Sequence, residues 1–399
     1  MKILVIATKY SLKLDSPWLT NELAESLQKQ GNEVTVLFVD WDAKECLQGP
    51  TICNSIKVIC IPALTFPKLP NTISKALKWL FSSINAYRHF KSNFRHVHFD
   101  VLIGFSPCTA LWFCFYRLRR RAEQMVLVYW DFFPIHNYQI GKVPSRLLNY
   151  PLYILERYLV SVFDYVGLMS DKNIAFFKEY FPLNGRQKIF ELPIWGRRIV
   201  IKYKDLDEVQ HNLKQQYGCV AVFGGQLEYG RGIENLLSIA KQLRNESSDI
   251  GLLIIGEGPL KAKVIEASSD EMHNLIYLSK LSREDYLKVL SVCDIGIVST
   301  QAEVTIPSYP SKCIDYLISG LPVIASVEAT TDFGEIIEAA GCGYYCLAGD
   351  DKLFVEKIKT LAMDSELRKV MGKAGRDFFE NRHNVDAVAA MLLNQVHNL

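Results

Sequence analysis

Two cations and one carboxylate stand where this chain could hold an anionic, hydroxyl-bearing ligand. Lys312 and Asp315 lie in Pro310-Ser311-Lys312-Cys313-Ile314-Asp315-Tyr316-Leu317-Ile318-Ser319-Gly320-Leu321-Pro322-Val323-Ile324-Ala325-Ser326. This reads as a loop, a short helix, a Gly-Pro break and a buried strand. Gly320 suits a left-handed cap and Pro322 stops the helix. A carboxylate and a lysine at the lip of such a unit can face a ligand beyond the strand ends. The second cation, Arg231, lies in Phe223-Gly224-Gly225-Gln226-Leu227-Glu228-Tyr229-Gly230-Arg231-Gly232-Ile233-Glu234-Asn235-Leu236. Here a strand enters a glycine-rich turn and a helix begins near Gly232. Glycines let the backbone approach an anion, free N–H groups at a helix start favour it, and a guanidinium fork suits phosphate. The plainer reading is a strand-to-helix turn.

Three further stretches bear on the same chemistry. Ile254-Ile255-Gly256-Glu257-Gly258-Pro259 turns tightly at a strand end, and Pro259 can open the next helix. In Leu278-Ser279-Lys280-Leu281-Ser282-Arg283-Glu284-Asp285-Tyr286, Ser282 is a good N-cap with Asp285 three residues on. In the first half, Tyr129-Trp130-Asp131-Phe132-Phe133-Pro134 ends a strand, and His136 follows. A strand-end acid beside aromatics sits where doubly wound sheets put ligands. The plain readings are a cap for Asp131 and a structural histidine for His136.

The elements that must position these residues alternate. Strand Ile3–Ala7, a loop at 8–16, a helix over 17–30 and strand Val34–Val39 open the chain as a parallel, right-handed strand–helix–strand unit. The loop has no glycine, which argues against a dinucleotide G-x-G-x-x-G site. Further strands are expected at Ile56–Ile61, Asp100–Ile103, Met125–Tyr129 and Tyr165–Met169. After a linker near 193–210, the second half repeats the alternation. Its strands are Val220–Phe223, Gly251–Ile255, Leu275–Leu278, Asp294–Val298 and Pro322–Ala325, and its helices 232–245, 259–267 and 283–291. Lys369–Leu399 is helical in pattern. The expectation is two doubly wound α/β domains, 1–194 and 195–375, with a terminal helical segment 376–399.

At 399 residues the chain exceeds one ordinary core, and 49% hydrophobic with 22% charged residues suits a folded protein. The ten cysteines include no CxxC pair, and Cys342 and Cys346, the nearest two, have no histidine beside them. Scattered thiols of this kind are expected to be reduced, buried small hydrophobes, without structural metal or disulfide. Met1-Lys2-Ile3-Leu4-Val5-Ile6 reads as a strand rather than a signal peptide, and no uncharged run reaches about 18 residues, so a cytoplasmic protein is expected. Residues 1–200 carry 25 Lys+Arg against 15 Asp+Glu, and residues 201–399 carry 20 against 28. The two halves therefore face different partners, the basic one suiting an anionic membrane or a phosphorylated acceptor. Residues 71–98 contain Lys75, Lys78, Trp79, Phe81, Lys91 and no acid, and Tyr116-Arg117-Leu118-Arg119-Arg120-Arg121 follows. Basic helices rich in Trp and Phe are the composition that lies on membrane surfaces. No reading motif for nucleic acid is present.

The S-K-x-x-D-Y-x-x-x-G-x-P-V-I pattern, preceded in order by the glycine-rich loop and G-E-G-P, resembles family 4 glycosyltransferases of the GT-B fold. Asp131-x-x-Pro134, with Gly141 ten residues after Asp131, resembles those that build bacterial O-antigen, capsule and exopolysaccharide. The resemblance implies two Rossmann-like domains with a cleft between them and a last helix returning to the first domain. It implies retaining, metal-independent transfer from a nucleotide-sugar, a UDP-sugar in this reading, to a glycan or lipid-linked acceptor at the inner membrane face. Gly224, Gly225, Gln226, Arg231, Gly256, Ser282, Ser311, Lys312 and Asp315 would then bind the donor. Asp315 would bond the ribose hydroxyls, Lys312 and Arg231 would steady the diphosphate, and Asp131 and His136 would lie on the acceptor side. The chain departs from the pattern at Gln226, where relatives carry Arg, at Ser279, where they carry Gly, and at Pro307, where many carry a first glutamate. Glu303 is the nearest acid to that last position. These departures keep two alternatives open: a non-catalytic nucleotide-sugar-binding partner of another transferase, and a sugar-nucleotide 2-epimerase.

Overall fold

The computed structural model describes residues 1–13, 17–41, 50–141, 145–183, 185–198, 213, 215–246, 249–271 and 273–397. The chain divides into one unit of Met1–Pro193 with Val385–Leu399 and a second of Ile194–Asn384. The expected linker falls largely on residues 199–212, outside the described residues.

In the first unit, strands β1 (Lys2–Ala7), β2 (Glu33–Asp40), β3 (Thr51–Cys53), β4 (Ile56–Pro62), β5 (Phe99–Phe105), β6 (Ala122–Tyr129), β7 (Tyr165–Leu168) and β8 (Lys188–Glu191) form one sheet. Its order is β3-β4-β2-β1-β5-β6-β7-β8, parallel except where β3 meets β4. Ile3, Leu4, Val5 and Ile6 are fully buried because β1 is central and covered on both faces, which explains their unbroken apolar run. The edge pieces β3 and β8 are too short to show a pattern in sequence. Helices α1 (Leu19–Lys29), α2 (Asn71–Asn93), α3 (Trp112–Leu118), α4 (Ile135–Gln139), α5 (Arg146–Val160) and α6 (Asp171–Tyr180) fill the crossovers, with a 3-10 turn at Cys108–Leu111. Gly31, at φ +86°, ends α1 in the left-handed region.

The second unit carries β9 (Cys219–Gly224), β10 (Ile250–Ile255), β11 (Leu275–Leu278), β12 (Ile295–Ser299), β13 (Val323–Val327) and β14 (Gly343–Leu347), all parallel in the order β11-β10-β9-β12-β13-β14. Its helices are α7 (Ile233–Glu246), α8 (Lys261–Ser268), α9 (Arg283–Leu290), α10 (Cys313–Ser319), α11 (Phe333–Ala339), α12 (Asp351–Met363) and α13 (Ser365–Phe378). Leu236, Ile239 and Leu243 of α7 and Phe354 and Ile358 of α12 join Ala221, Leu252, Ile254 and Ile324 in its core. Gly320 caps α10 at φ +73°, as its place before Pro322 predicts.

Lys369–Leu399 is not one helix. A wide turn at Phe379–His383 and extended Asn384 separate α13 from α14 (Val385–His397). Helix α14 belongs to the first unit, where Ser26 Oγ donates to Asp386 Oδ1 at 2.5 Å; residues 376–384 stay with the second. Buried His383 closes that turn. Its Nδ1–H donates to the Ile194 carbonyl at 2.6 Å, and its Nε2 accepts from the Tyr309 hydroxyl at 3.1 Å. Burial pulls its pKa down to about 4, which keeps the ring neutral. Among the described cysteines eight are free thiols, but Cys60 is disulfide-bonded, contrary to the expectation of reduced thiols throughout. Sequence spacing cannot show which sulfurs a fold brings within bonding range. Among the described residues no helix is long and apolar enough to cross a membrane.

Candidate functional site

In the second unit β9 lies between β10 and β12, so the chain leaves β9 to one side and later returns to its other side. In doubly wound sheets ligands bind at the carboxyl ends of the strands where the order reverses, here at the end of β9. Gly224 and Gly225 stand there. The Gly224 N–H donates to the buried Tyr316 hydroxyl at 2.9 Å, and a Cβ on Gly224 would come within 2.2 Å of the Tyr286 hydroxyl. Gly225 N–H donates to the Ile255 carbonyl at 3.0 Å, and Leu227 N–H to the Glu257 carbonyl at 2.9 Å. The loops after β9 and β10 are thus zipped backbone to backbone. A Cβ on Gly256 would lie 1.8 Å from the Gly225 carbonyl oxygen, so only glycine fits there.

The loop then runs to the start of α7. Gly230 N–H donates to Gln301 Oε1 at 3.0 Å, and Gly232, at φ +61°, abuts Ser299 and Thr300 at the end of β12. Arg231 and Gln226 are exposed. Arg231 therefore sits two residues before the first residue of a 14-residue helix, a placement suited to an anion. Ser311 and Lys312 are exposed ahead of α10, and Lys312 Nζ lies 5.3 Å from the centre of the Tyr286 ring.

Asp315 is 4% exposed, with Oδ1 2.7 Å from an Arg283 guanidinium nitrogen. The Ser282 hydroxyl caps α9, accepting the Asp285 N–H at 3.1 Å and donating to its carboxylate at 2.6 Å. Sequence reasoning assigned no role to Arg283, Tyr286, Tyr316 or Glu328. Glu328, directly after β13, is 1% exposed. It accepts from Thr300 Oγ1 at 2.5 Å and from the Ser308 N–H at 2.8 Å, pinning the loop 300–308. An acid placed without a break after a buried strand was the available signal. In the pinned loop Glu303 is exposed and Pro307 buried.

In the first unit, Ser106 Oγ accepts the N–H groups of Trp130 and Asp131 at 3.0 and 3.3 Å, joining the loops after β5 and β6. Asp131 is exposed and does not cap α4, whose cap position is Pro134. His136 is half-buried within α4. Both Ser106–Pro107 and Phe133–Pro134 are cis. Glu156 of α5, fully buried, accepts the N–H groups of Cys108 and Thr109 at 2.8 Å each, and burial pushes its pKa up to about 7. Of the lysines noted on α2, Lys75 and Lys91 are exposed. Lys78 instead donates to the Trp41 carbonyl, and Trp79 packs between Trp41 and Phe133.

Residues 206–378 match the family model of glycosyl transferases group 1. The sulfoquinovosyl transferase SQD2 of Arabidopsis thaliana is 20% identical over 359 residues, 88% of this chain. The chain spans 64% of that plant protein's length. Among solved structures, HepE of Anabaena in complex with UDP is similar with TM-score 0.68 and 13% identity, covering 100% of both chains. The chain has a GT-B fold. WaaG, a glycosyltransferase involved in lipopolysaccharide biosynthesis, shares the GT-B architecture with TM-score 0.64 and 16% identity, over 99% of this chain and 100% of its own.

Proposed function

We propose that this protein is a glycosyltransferase that moves a sugar from a nucleotide-sugar donor, of the UDP class, to a glycan acceptor. The observation that carries this is the set Gly224, Gly225, Arg231 and the start of α7 at the switch point of the second sheet. The group 1 match falls on the same unit, and the related HepE fold was solved with UDP. In this reading the donor diphosphate meets Arg231, Lys312 and the first N–H groups of α7. As the sugar–phosphate bond breaks, negative charge grows on the leaving diphosphate, and fixed cations lower that barrier. Asp315, whose Oδ1 is held by Arg283, accepts from the ribose hydroxyls. Asp131 and His136 orient the acceptor hydroxyl. Retention of configuration, and a lipid-linked acceptor in surface polysaccharide assembly at the inner membrane face, complete the proposal. Retention rests on the resemblance to family 4 alone; the acceptor and its place are supported by the D-x-x-P segment, the basic first half and the likeness to WaaG.

Exposed Gln226, where an arginine would add a third cation, favours one other reading, a nucleotide-sugar-binding partner without turnover. A thermal-shift panel with UDP, GDP, ADP, dTDP and NAD separates the possibilities. A ligand at 100 times its Kd stabilises by about 2.7 kcal/mol. We expect a shift with UDP and none with NAD, followed by UDP release from a UDP-sugar only when acceptor is added. A UDP shift with neither acceptor-dependent release nor epimerisation of the UDP-sugar would favour the binding partner instead, and no shift with any nucleotide would overturn the donor site.

A further inference from the structure

Helix α5 is apolar on two sides. Leu159 and Val160 face the core beside Glu156, yet Leu147, Tyr150, Pro151, Ile154, Leu155 and Tyr158 form an outward stripe spaced three and four residues apart. Leu147 is 87% exposed and Tyr150 67%, a contiguous apolar face of the kind that marks a binding surface. Along Tyr150, Pro151, Ile154, Leu155 and Tyr158 the stripe is hollowed by about 520 Å³. At Tyr150 it runs into a second cavity of about 470 Å³ among α4, α5 and α6, of different chemistry.

That cavity is lined by Ile135, Asn149, Tyr150, Tyr153, Phe176, Glu179 and Tyr180, whose buried hydroxyl can both donate and accept. Asn149 Oδ1 is buried with no hydrogen-bond partner, and exposed Glu179 adds a carboxylate; both groups accept hydrogen bonds. The rings of Tyr150, Tyr153 and Phe176 supply flat apolar faces. Unused acceptors beside aromatic faces call for a ligand that donates from several hydroxyls and presents a C–H face, which is a sugar ring. The Glu179 charge disfavours a phosphate there. The adjoining stripe offers only apolar surface and suits hydrocarbon. Tyr150 belongs to both, so one amphiphile can occupy the two together.

We propose that the α4–α5–α6 face binds a glycolipid, its sugar ring in the more polar of the two hollows and its hydrocarbon along the α5 stripe. Ile135 connects this cavity to the segment that begins at Asp131, so the ligand is the acceptor if the transferase reading holds. The binding itself does not depend on that reading.

Isothermal titration of the full chain with dodecyl maltoside below micelle formation tests the site. Maltose serves as the sugar-only probe and dodecyldimethylamine oxide as the chain-only probe, with UDP titrated in parallel. Saturable maltoside binding, at least tenfold tighter than either partial probe, is expected. Glu179→Gln with Tyr150→Ala should weaken it roughly tenfold, and so should Ile154→Ser with Leu155→Ser, with UDP affinity unchanged. These side chains are partly or largely exposed, which favours folding of both variants, and unchanged melting would confirm it. Equal binding of maltoside and amine oxide, insensitive to Glu179→Gln, would overturn the proposal in favour of a bare apolar face. Stripe variants that lose only self-association in sedimentation would overturn it in favour of a second copy of the chain. UDP binding without maltoside binding would sink this inference and leave the transferase reading standing; the converse would do the reverse.

Discussion

Arg283 stands beside the carboxylate that the donor reading gives to ribose. Asp315 is 4% exposed, so removing Arg283 leaves a buried, uncompensated charge. Discounted for the partial exposure of Arg283, Arg283→Ala should cost about 1–3 kcal/mol in denaturant melts. It should also weaken UDP and uridine alike; a stability loss with both affinities intact would make the pair purely structural. Arg231→Ala, by contrast, should weaken UDP and spare uridine, because it removes a phosphate partner only. Two buried titrating groups give opposite pH responses. Glu156 keeps its proton up to about pH 7 in the fold and releases it near 4.5 when unfolded. Its contribution is full below 4.5 and is lost as pH rises to 7, about 3 kcal/mol at most. His383 is neutral down to about pH 4 in the fold but protonates near 6.5 when unfolded, so its contribution is full above 6.5 and is lost as pH falls toward 4. Urea melts from pH 4 to 8 should show the alkaline decline flattened in Glu156→Gln; an unchanged slope would remove Glu156 as its source. Asp131, Arg231, Lys312 and Asp315 are candidates by type and spacing alone. Arg283, Tyr286 and Tyr316 are not, because their roles exist only once α9, α10 and the end of β9 meet.

Among elements, the loop between β12 and α10 is held by several side chains, Glu328 foremost. Glu328 binds Thr300 and Ser308, and Thr331 Oγ1 donates to the Ser308 carbonyl at 2.5 Å. Glu328→Ala leaves the Ser308 N–H without its acceptor, a loss of about 1–3 kcal/mol. Amide exchange at Ser308 should then accelerate, and discrimination among UDP-sugars should fall; protected exchange in the variant would show that other contacts hold the loop. The strands were readable because apolar runs bounded by Gly and Pro identify them. Elements β14, α11 and α12 carry the same signals and went unassigned, while β3 and β8 carry too few residues to signal anything. Helix α5 misleads in a different way. Its apolar residues lie on both faces, and periodicity cannot tell which stripe meets the core.

For the whole molecule, the residues proposed to bind the donor all lie in the second unit, so UDP should slow amide exchange chiefly within Ile194–Asn384. Protection centred on the first unit would move the nucleotide site. The sequence by itself determined the α/β alternation, the duplication of that alternation and the charge contrast between halves, because all three follow from local pattern and composition. It also determined the glycine-rich turn and the Gly320 cap, since backbone conformations at positive φ select glycine locally. Tertiary structure alone decided strand order, and with it the switch point at which the donor reading places Gly224. It decided the Arg283–Asp315 pair, the Glu328 clamp, the disulfide at Cys60 and the outward face of α5. Each of these depends on residues far apart in the chain coming within a few ångströms, and no spacing along one sequence encodes that distance.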